Sequence, residues 1–144
     1  MTVTEKLSRL AAINLRTLLD DVLKENEDYI CDQNRDQMYE EGVMNVKTGQ
    51  REKYAPSTIK AKRKAPFNKT SFITLKWTGE FHKDLKLLIF RDTFVISSRN
   101  KVWGNYLESQ SRFESALGLT KESKSDLRDL VRDELIKKLR NELS

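Results

Sequence analysis

The sequence predicts an α+β fold: a small antiparallel sheet, built from one strand plus a β-hairpin, with long N-terminal and C-terminal amphipathic helices. Three observations carry that prediction. Apolar residues recur at steps of three and four over residues 4–28. They step by four again over residues 123–143. Between these stretches lie two β-rich runs, Leu85 to Phe90 and Thr93 to Ser98. Only Arg91-Asp92 separates them, which leaves room for a tight turn and nothing else.

The first helix carries Leu7, Leu10, Ala11, Leu15, Leu18, Leu19 and Val22 on one stripe. Thr2 and Glu5 have capping-box spacing at its start. A short helix near 33–41 is expected to end at Gly42. Thr48-Gly49 marks a turn. Pro56 suits the first turn of a short basic helix reaching about Lys64, and Pro66 prevents its continuation. Phe72 to Trp77 is short and β-rich, so it reads as a strand that Thr78-Gly79 breaks. In the hairpin Leu85, Leu87 and Ile89 point one way and Lys86, Leu88 and Phe90 the other. Both faces are largely apolar, so cover is expected on both sides, from this chain's helices or from a neighbouring subunit. Val102, Trp103, Tyr106 and Leu107 have the composition of one helical turn. Phe113, Ala116, Leu117 and Leu119 bracket Gly118. Ser123 is the expected cap of the last helix, whose stripe runs Leu127, Val131, Leu135, Leu139, Leu143.

One domain is expected over residues 1–144, in four segments: 1–46 acidic and helical, 47–70 a basic connection, 71–99 β, and 100–144 a connection and the C-terminal helix. Leu, Ile, Val and Phe make up about 26% of the 144 residues, above the rough 20% associated with disordered chains. No apolar run approaches the ~18–20 residues of a membrane span, and the first residues have no signal-peptide pattern. One cysteine, Cys31, and one histidine, His82, exclude zinc fingers and paired-cysteine redox motifs. His82 has no nucleophile or titrating partner at a defined spacing, so its reading is structural. Cys31 reads as a small buried apolar residue. The residues therefore indicate no catalytic site, no metal, no cofactor, no small-molecule substrate and no membrane contact.

The charge distribution is more informative than the net charge of +5. Residues 1–46 sum to −5, residues 47–76 to +8, and residues 77–144 to +2. An acidic segment followed by a basic one suggests mutual contact, within the chain or between copies. The candidate contact patch is Lys60, Lys62, Arg63, Lys64, Lys69 and Lys76. Tyr54, Phe67, Phe72 and Trp77 interleave with it, as stacking surfaces for a nucleic acid would. The same patch also suits an acidic surface on a neighbouring subunit, or a channel wall contacting phosphates without reading sequence.

The order Tyr54-Ala55-Pro56-Ser57-Thr58-Ile59-Lys60, a basic linker, then Leu75-x-x-Thr78-Gly79-x-Phe81, a hairpin and a C-terminal amphipathic helix resembles the small neck and tail-completion (virion morphogenesis) proteins of tailed bacteriophages. The likeness spans about residues 54–143 and is nearest to proteins from phages of Bacteroides-type hosts, crAss-like phages included. Where Phe81 stands the family more often has Leu. The resemblance implies a non-enzymatic virion protein, assembled in the host bacterial cytoplasm. It would form a homo-oligomeric ring or collar against portal, neck or tail subunits, with DNA passing through the channel. From the residues alone, the alternative is a small basic accessory protein that binds nucleic acid through residues 53–76.

Overall fold

The computed structural model describes residues 2–91, 93–98 and 115–144. Its elements are α1 Val3–Ala12, α2 Leu15–Glu25, α3 Glu27–Tyr39, α4 Pro56–Lys62, α5 Glu80–Lys83, β1 Leu85–Ile89, β2 Phe94–Ser98 and α6 Lys121–Leu143. The architecture is α+β, with helices at both ends and an antiparallel hairpin between them. Val102, Trp103, Tyr106, Leu107 and Phe113 lie outside the described residues. No helix among the described residues is long and apolar enough to cross a membrane.

The single helix expected over residues 4 to about 28 is two helices, α1 and α2, followed by the start of α3. Thr2 and Glu5 do form a capping box at α1. Ile13 is extended, and the Asn14 side chain accepts from the Thr17 N–H to start α2 afresh. Asn26 then ends α2 and begins α3, its Nδ2 donating to Val22 O and to Glu134 of α6. At Asn14 the break overrides a continuous apolar stripe because the side chain serves an N–H at the new helix start; at Asn26 the side chain makes no cap bond to α3. The short helix expected near 33–41 is the last part of α3. Gly42 lies beyond its end with φ +69, and a Cβ there would lie 2.3 Å from the Phe72 ring. Only glycine fits both the conformation and the space.

The strand expected at Phe72 to Trp77 does not form. Ile73 N donates to Glu52 O, Thr74 N to the Tyr54 hydroxyl, and Lys76 N to Thr74 Oγ1. Leu75 has φ +58, which no ladder tolerates. Its backbone groups are thus satisfied one at a time, and the sheet among the described residues has two strands. The hairpin register pairs Leu87 with Ile96 and Leu88 with Val95. Leu85, Leu87 and Ile96 are buried in the core, with β1 packed on α2 and α3, while Leu88, Phe90 and Val95 stay exposed. The chain's described residues cover one face of the hairpin and leave the other apolar and open.

The core joins α2, α3, positions 44, 73 and 116, α5, the hairpin and α6, with Leu23, Ile30, Met38, Met44, Ile73, Phe81, Leu87, Ala116 and Leu127 in one cluster. Two buried amides of α3 organise the segment before α6. Asn34 Nδ2 donates to Ala116 O, and its Oδ1 accepts from Gly118 N, both at 3.0 Å. Gln37 Nε2 donates to Gly118 O, and its Oε1 accepts from Thr120 N, again at 3.0 Å. The two side chains, one turn apart, satisfy the backbone groups of the 116–120 turn one after another, with Gly118 at φ +126 at its centre. They set Thr120 to cap α6, which therefore begins three residues before the expected Ser123; the Thr120 side chain accepts from Ser123 N. Contacts of Gln33 with Ser123, Asn26 with Glu134 and Glu25 with Lys138 run in opposite senses, so α6 lies antiparallel to α2 and α3. We expect Asn34→Ala to cost about 2–3 kcal/mol, because it strands a carbonyl and an N–H in the core. A urea midpoint unchanged from the parent would refute the clasp.

Candidate functional site

Helix α4 opens on Pro56, whose fixed φ and missing N–H suit the first turn. Of the six cations in the sequence-derived patch, Lys60, Arg63 and Lys64 are exposed. The other three turn inward. Lys62 has no exposed surface. Its Nζ donates to Phe67 O and, at 2.7 Å, to Lys76 O. The ammonium also sits 5.7 Å from the Tyr54 ring centre and 5.8 Å from that of Trp77. Burial lowers its pKa from the ordinary lysine value. Lys62 is therefore withdrawn from the contact patch: it staples α4 to the 67–77 segment.

Lys69 Nζ donates to Tyr39 O at 3.1 Å and lies 4.5 Å from the Phe72 ring centre. Lys76 Nζ lies 4.3 Å from Phe67 and 4.6 Å from Tyr39. The aromatics that looked like stacking surfaces for bases are thus occupied by lysines of their own chain. What remains as an open cationic surface is Lys60, Arg63 and Lys64, with exposed Lys47 and Lys53.

The Thr78-Gly79-x-Phe81 element is a turn that seats two buried side chains. Gly79 has φ +92, and a Cβ there would come within 2.9 Å of Phe67. Helix α5 follows at once and sends Phe81 into the core. His82, next in sequence, is 2% exposed, and its Nε2–H donates to Thr74 O at 2.8 Å. Nδ1 has no hydrogen-bond partner among the described residues. Arg35 Nε donates to the His82 main-chain carbonyl at 2.5 Å, which places one cation beside this residue. Burial pushes the imidazole pKa down to about 4; the Thr74 bond works the other way, and Lys76, Arg35 and Lys62 add to the lowering.

That places His82 in an unambiguous linkage. The unfolded chain takes up a proton below the ordinary value of 6.5 and the folded chain does not until about 4. Stability is therefore full above pH 6.5 and is lost as pH falls toward 4. Between pH 7 and 4.5 the wild type is expected to lose about 2 kcal/mol more than His82→Gln. Urea titrations of both chains at the two pH values check this, and parallel losses would refute it.

Cys31 is 1% exposed, and burial pushes its thiol up to about 11. Arg35 opposes that shift, while Glu27, Asp28 and Asp32 reinforce it. Such a thiol is a core residue and not a nucleophile. Among the described residues no group of acidic, histidine and cysteine side chains is arranged to hold a metal ion. The acidic first segment and the basic middle one do not neutralise each other through the ion pairs seen. Those pairs are local, as in Arg16–Asp20 and Arg35–Asp32, or join α2 to α6 through Glu25–Lys138.

Sequence reasoning missed Asn34 and Gln37. The available signal was two amides at i and i+3 on the face that carries Ile30 and Met38. It also missed a cation-rimmed hollow between α2, α6 and the hairpin, which brings together residues far apart in sequence. No family model, curated protein or solved structure matches the chain.

Proposed function

We propose that this chain is a non-enzymatic structural subunit of a tailed-phage virion, part of a ring or collar at the head–tail neck or in the tail. The observation that carries the reading is α1. It is an amphipathic helix with no buried residue, and Leu7 and Leu10 on its stripe are 60% and 47% exposed. An apolar stripe is retained on a helix when something covers it. The outer face of the hairpin, with Leu88, Phe90 and Val95, asks for cover in the same way. The resemblance of Tyr54–Lys60 and of Leu75-x-x-Thr78-Gly79-x-Phe81 to neck and tail-completion proteins supports the same assignment. Its partners would be copies of itself and portal, neck or tail subunits, with packaged DNA touched without sequence readout by Lys60, Arg63 and Lys64.

The test is light scattering and negative-stain microscopy of the purified chain over rising concentration, with fluorescence-anisotropy titrations against two unrelated duplexes. Expected are concentration-dependent oligomers and weak DNA binding, in the ~10⁻⁴–10⁻⁶ M range and equal for both duplexes. A monomer at every concentration that binds one duplex at nanomolar affinity would transfer the function to the nucleic-acid reading through residues 53–76.

A further inference from the structure

We propose that the hollow between α2, α6 and the turn end of the hairpin receives the acidic outer ridge of α3 from a second copy of this chain, with Tyr29 as the anchor. The proposal rests on the ring-subunit reading and names the surfaces that would join its copies. The hollow measures about 350 Å³, and Leu19, Leu23, Ile89, Phe94, Leu127 and Val131 form its apolar floor. Among the described residues four cations line it, Arg16, Arg91, Lys124 and Arg128, against a single carboxylate, Asp20. Arg16 holds Asp20 at 3.2 Å. Arg91, Lys124 and Arg128 are exposed and have no ion pair among the described residues. A partner for this site needs an apolar group set among carboxylates.

The complement stands on the same molecule. Asp28, Asp32 and Asp36 follow one another at i, i+4 and i+8 on α3, so they share a face, and all three are exposed. Asp28 and Asp36 have no ion pair among the described residues, and Asp32 meets only Arg35 of its own helix, at 2.7 Å. Tyr29 projects beside them at 40% exposure, the one large apolar side chain of α3 that is exposed. Lys124 and Arg128 are themselves one turn apart on α6, the same spacing as Asp28 and Asp32. Two helices laid side by side can therefore match acid to base on successive turns while the tyrosine ring enters the hollow.

The groove and the ridge share no residue. A contact between them is heterologous, so it propagates from copy to copy and generates a ring or a chain instead of a closed pair. Exposed ion pairs contribute little individually and are screened by salt, so the contact is weak in isolation and weaker at high ionic strength. Charge fixes its orientation, and the buried ring supplies apolar area.

Two full-length variants test this by light scattering at low salt. The ridge variant is Asp28→Asn with Tyr29→Ala; the groove variant is Lys124→Glu with Arg128→Glu. Each should melt within a few degrees of the parent by circular dichroism, since all four side chains are exposed. The wild type is expected to grow in mass with concentration, and each variant alone to associate at least tenfold more weakly. An equimolar mixture is expected to stop at two chains, because only the groove variant's ridge and the ridge variant's groove remain competent. Variants that assemble like the wild type, or a mixture that yields only monomers, would overturn this interface while leaving the ring reading intact. So would loss of assembly in Leu7→Asp while the ridge and groove variants assemble like the wild type, which would give the contact to α1. A wild type monomeric at every concentration overturns both readings.

Discussion

Leu87→Asp is expected to leave no folded protein, whereas Leu88→Asp, one residue on, is expected to fold and melt within roughly 4 °C of the parent. The contrast follows from the hairpin register. Leu87 faces inward opposite Ile96, and both are buried in the cluster with Ile30, Phe81 and Leu127. An aspartate there forfeits ~2 kcal/mol of apolar burial and places a carboxylate among aliphatic side chains. Ionised, it has no partner; protonated, it still buries a hydroxyl and a carbonyl. Either form costs several kcal/mol more, which together is on the scale of a domain's whole stability of ~5–15 kcal/mol. Leu88 points to the other face, 36% exposed, with Val95 opposite it at 45%. Its replacement removes one cross-strand pair of roughly 0.2–1 kcal/mol and leaves the new charge in water. Far-UV circular dichroism and urea midpoints of the two variants decide it. Equal losses would mean that the two faces are not distinguished in the folded chain.

That contrast also marks what the sequence could show. Alternation over residues 85–90 showed which side chains share a face, and the shortness of Arg91-Asp92 indicated the hairpin, because both are local rules. The leucine steps of α6 were legible for the same reason. Which face of the hairpin is covered was not legible, since both are apolar and cover is decided by residues far away in the chain. The Phe72–Trp77 segment shows the limit of β propensity, which records that residues fit an extended surface and not that a partner strand exists. Here Tyr54 and Glu52 take its N–H groups first. The stripe through residues 7–22 signalled helix correctly, but Asn14 divides it and Asn26 ends the helix that follows, and asparagine beside an apolar period is easily passed over. Periodicity likewise says that α1 has an apolar face and nothing about what covers it.

The structure divides the candidate patch between a buried and an exposed set. Lys60-Ala61-Lys62-Arg63-Lys64 looks uniform as a charge run, yet a helix of ~100° per residue sends its members to different sides. Position 62 falls on the side that meets residues 67–77, while 60, 63 and 64 face outward. A lysine can serve there because its long apolar stem fills space and its ammonium reaches carbonyls that no N–H serves.

Lys62→Glu is accordingly expected to unfold the chain, at a cost above about 4 kcal/mol, while the double variant Arg63→Glu and Lys64→Glu keeps its fold. In the wild type the ammonium donates to the carbonyls of Phe67 and Lys76 and lies over the Tyr54 and Trp77 rings. A glutamate at this point presents an acceptor to two acceptors and to the negative faces of two rings. Every interaction changes sign, and two buried carbonyls lose their donor at ~1–3 kcal/mol each. Lys62→Gln, which keeps a shorter N–H donor without the charge, is expected to fall between the two. Arg63 and Lys64 lie in water, so reversing them alters the stability little. It removes cations from the surface available to phosphates or to an acidic neighbour, and any change in DNA affinity or assembly in that variant reports on function alone. Urea denaturation of the three variants reads the order directly. A Lys62→Glu chain as stable as the Arg63→Glu, Lys64→Glu chain would return Lys62 to the surface patch and remove the staple between α4 and the Thr-Gly turn.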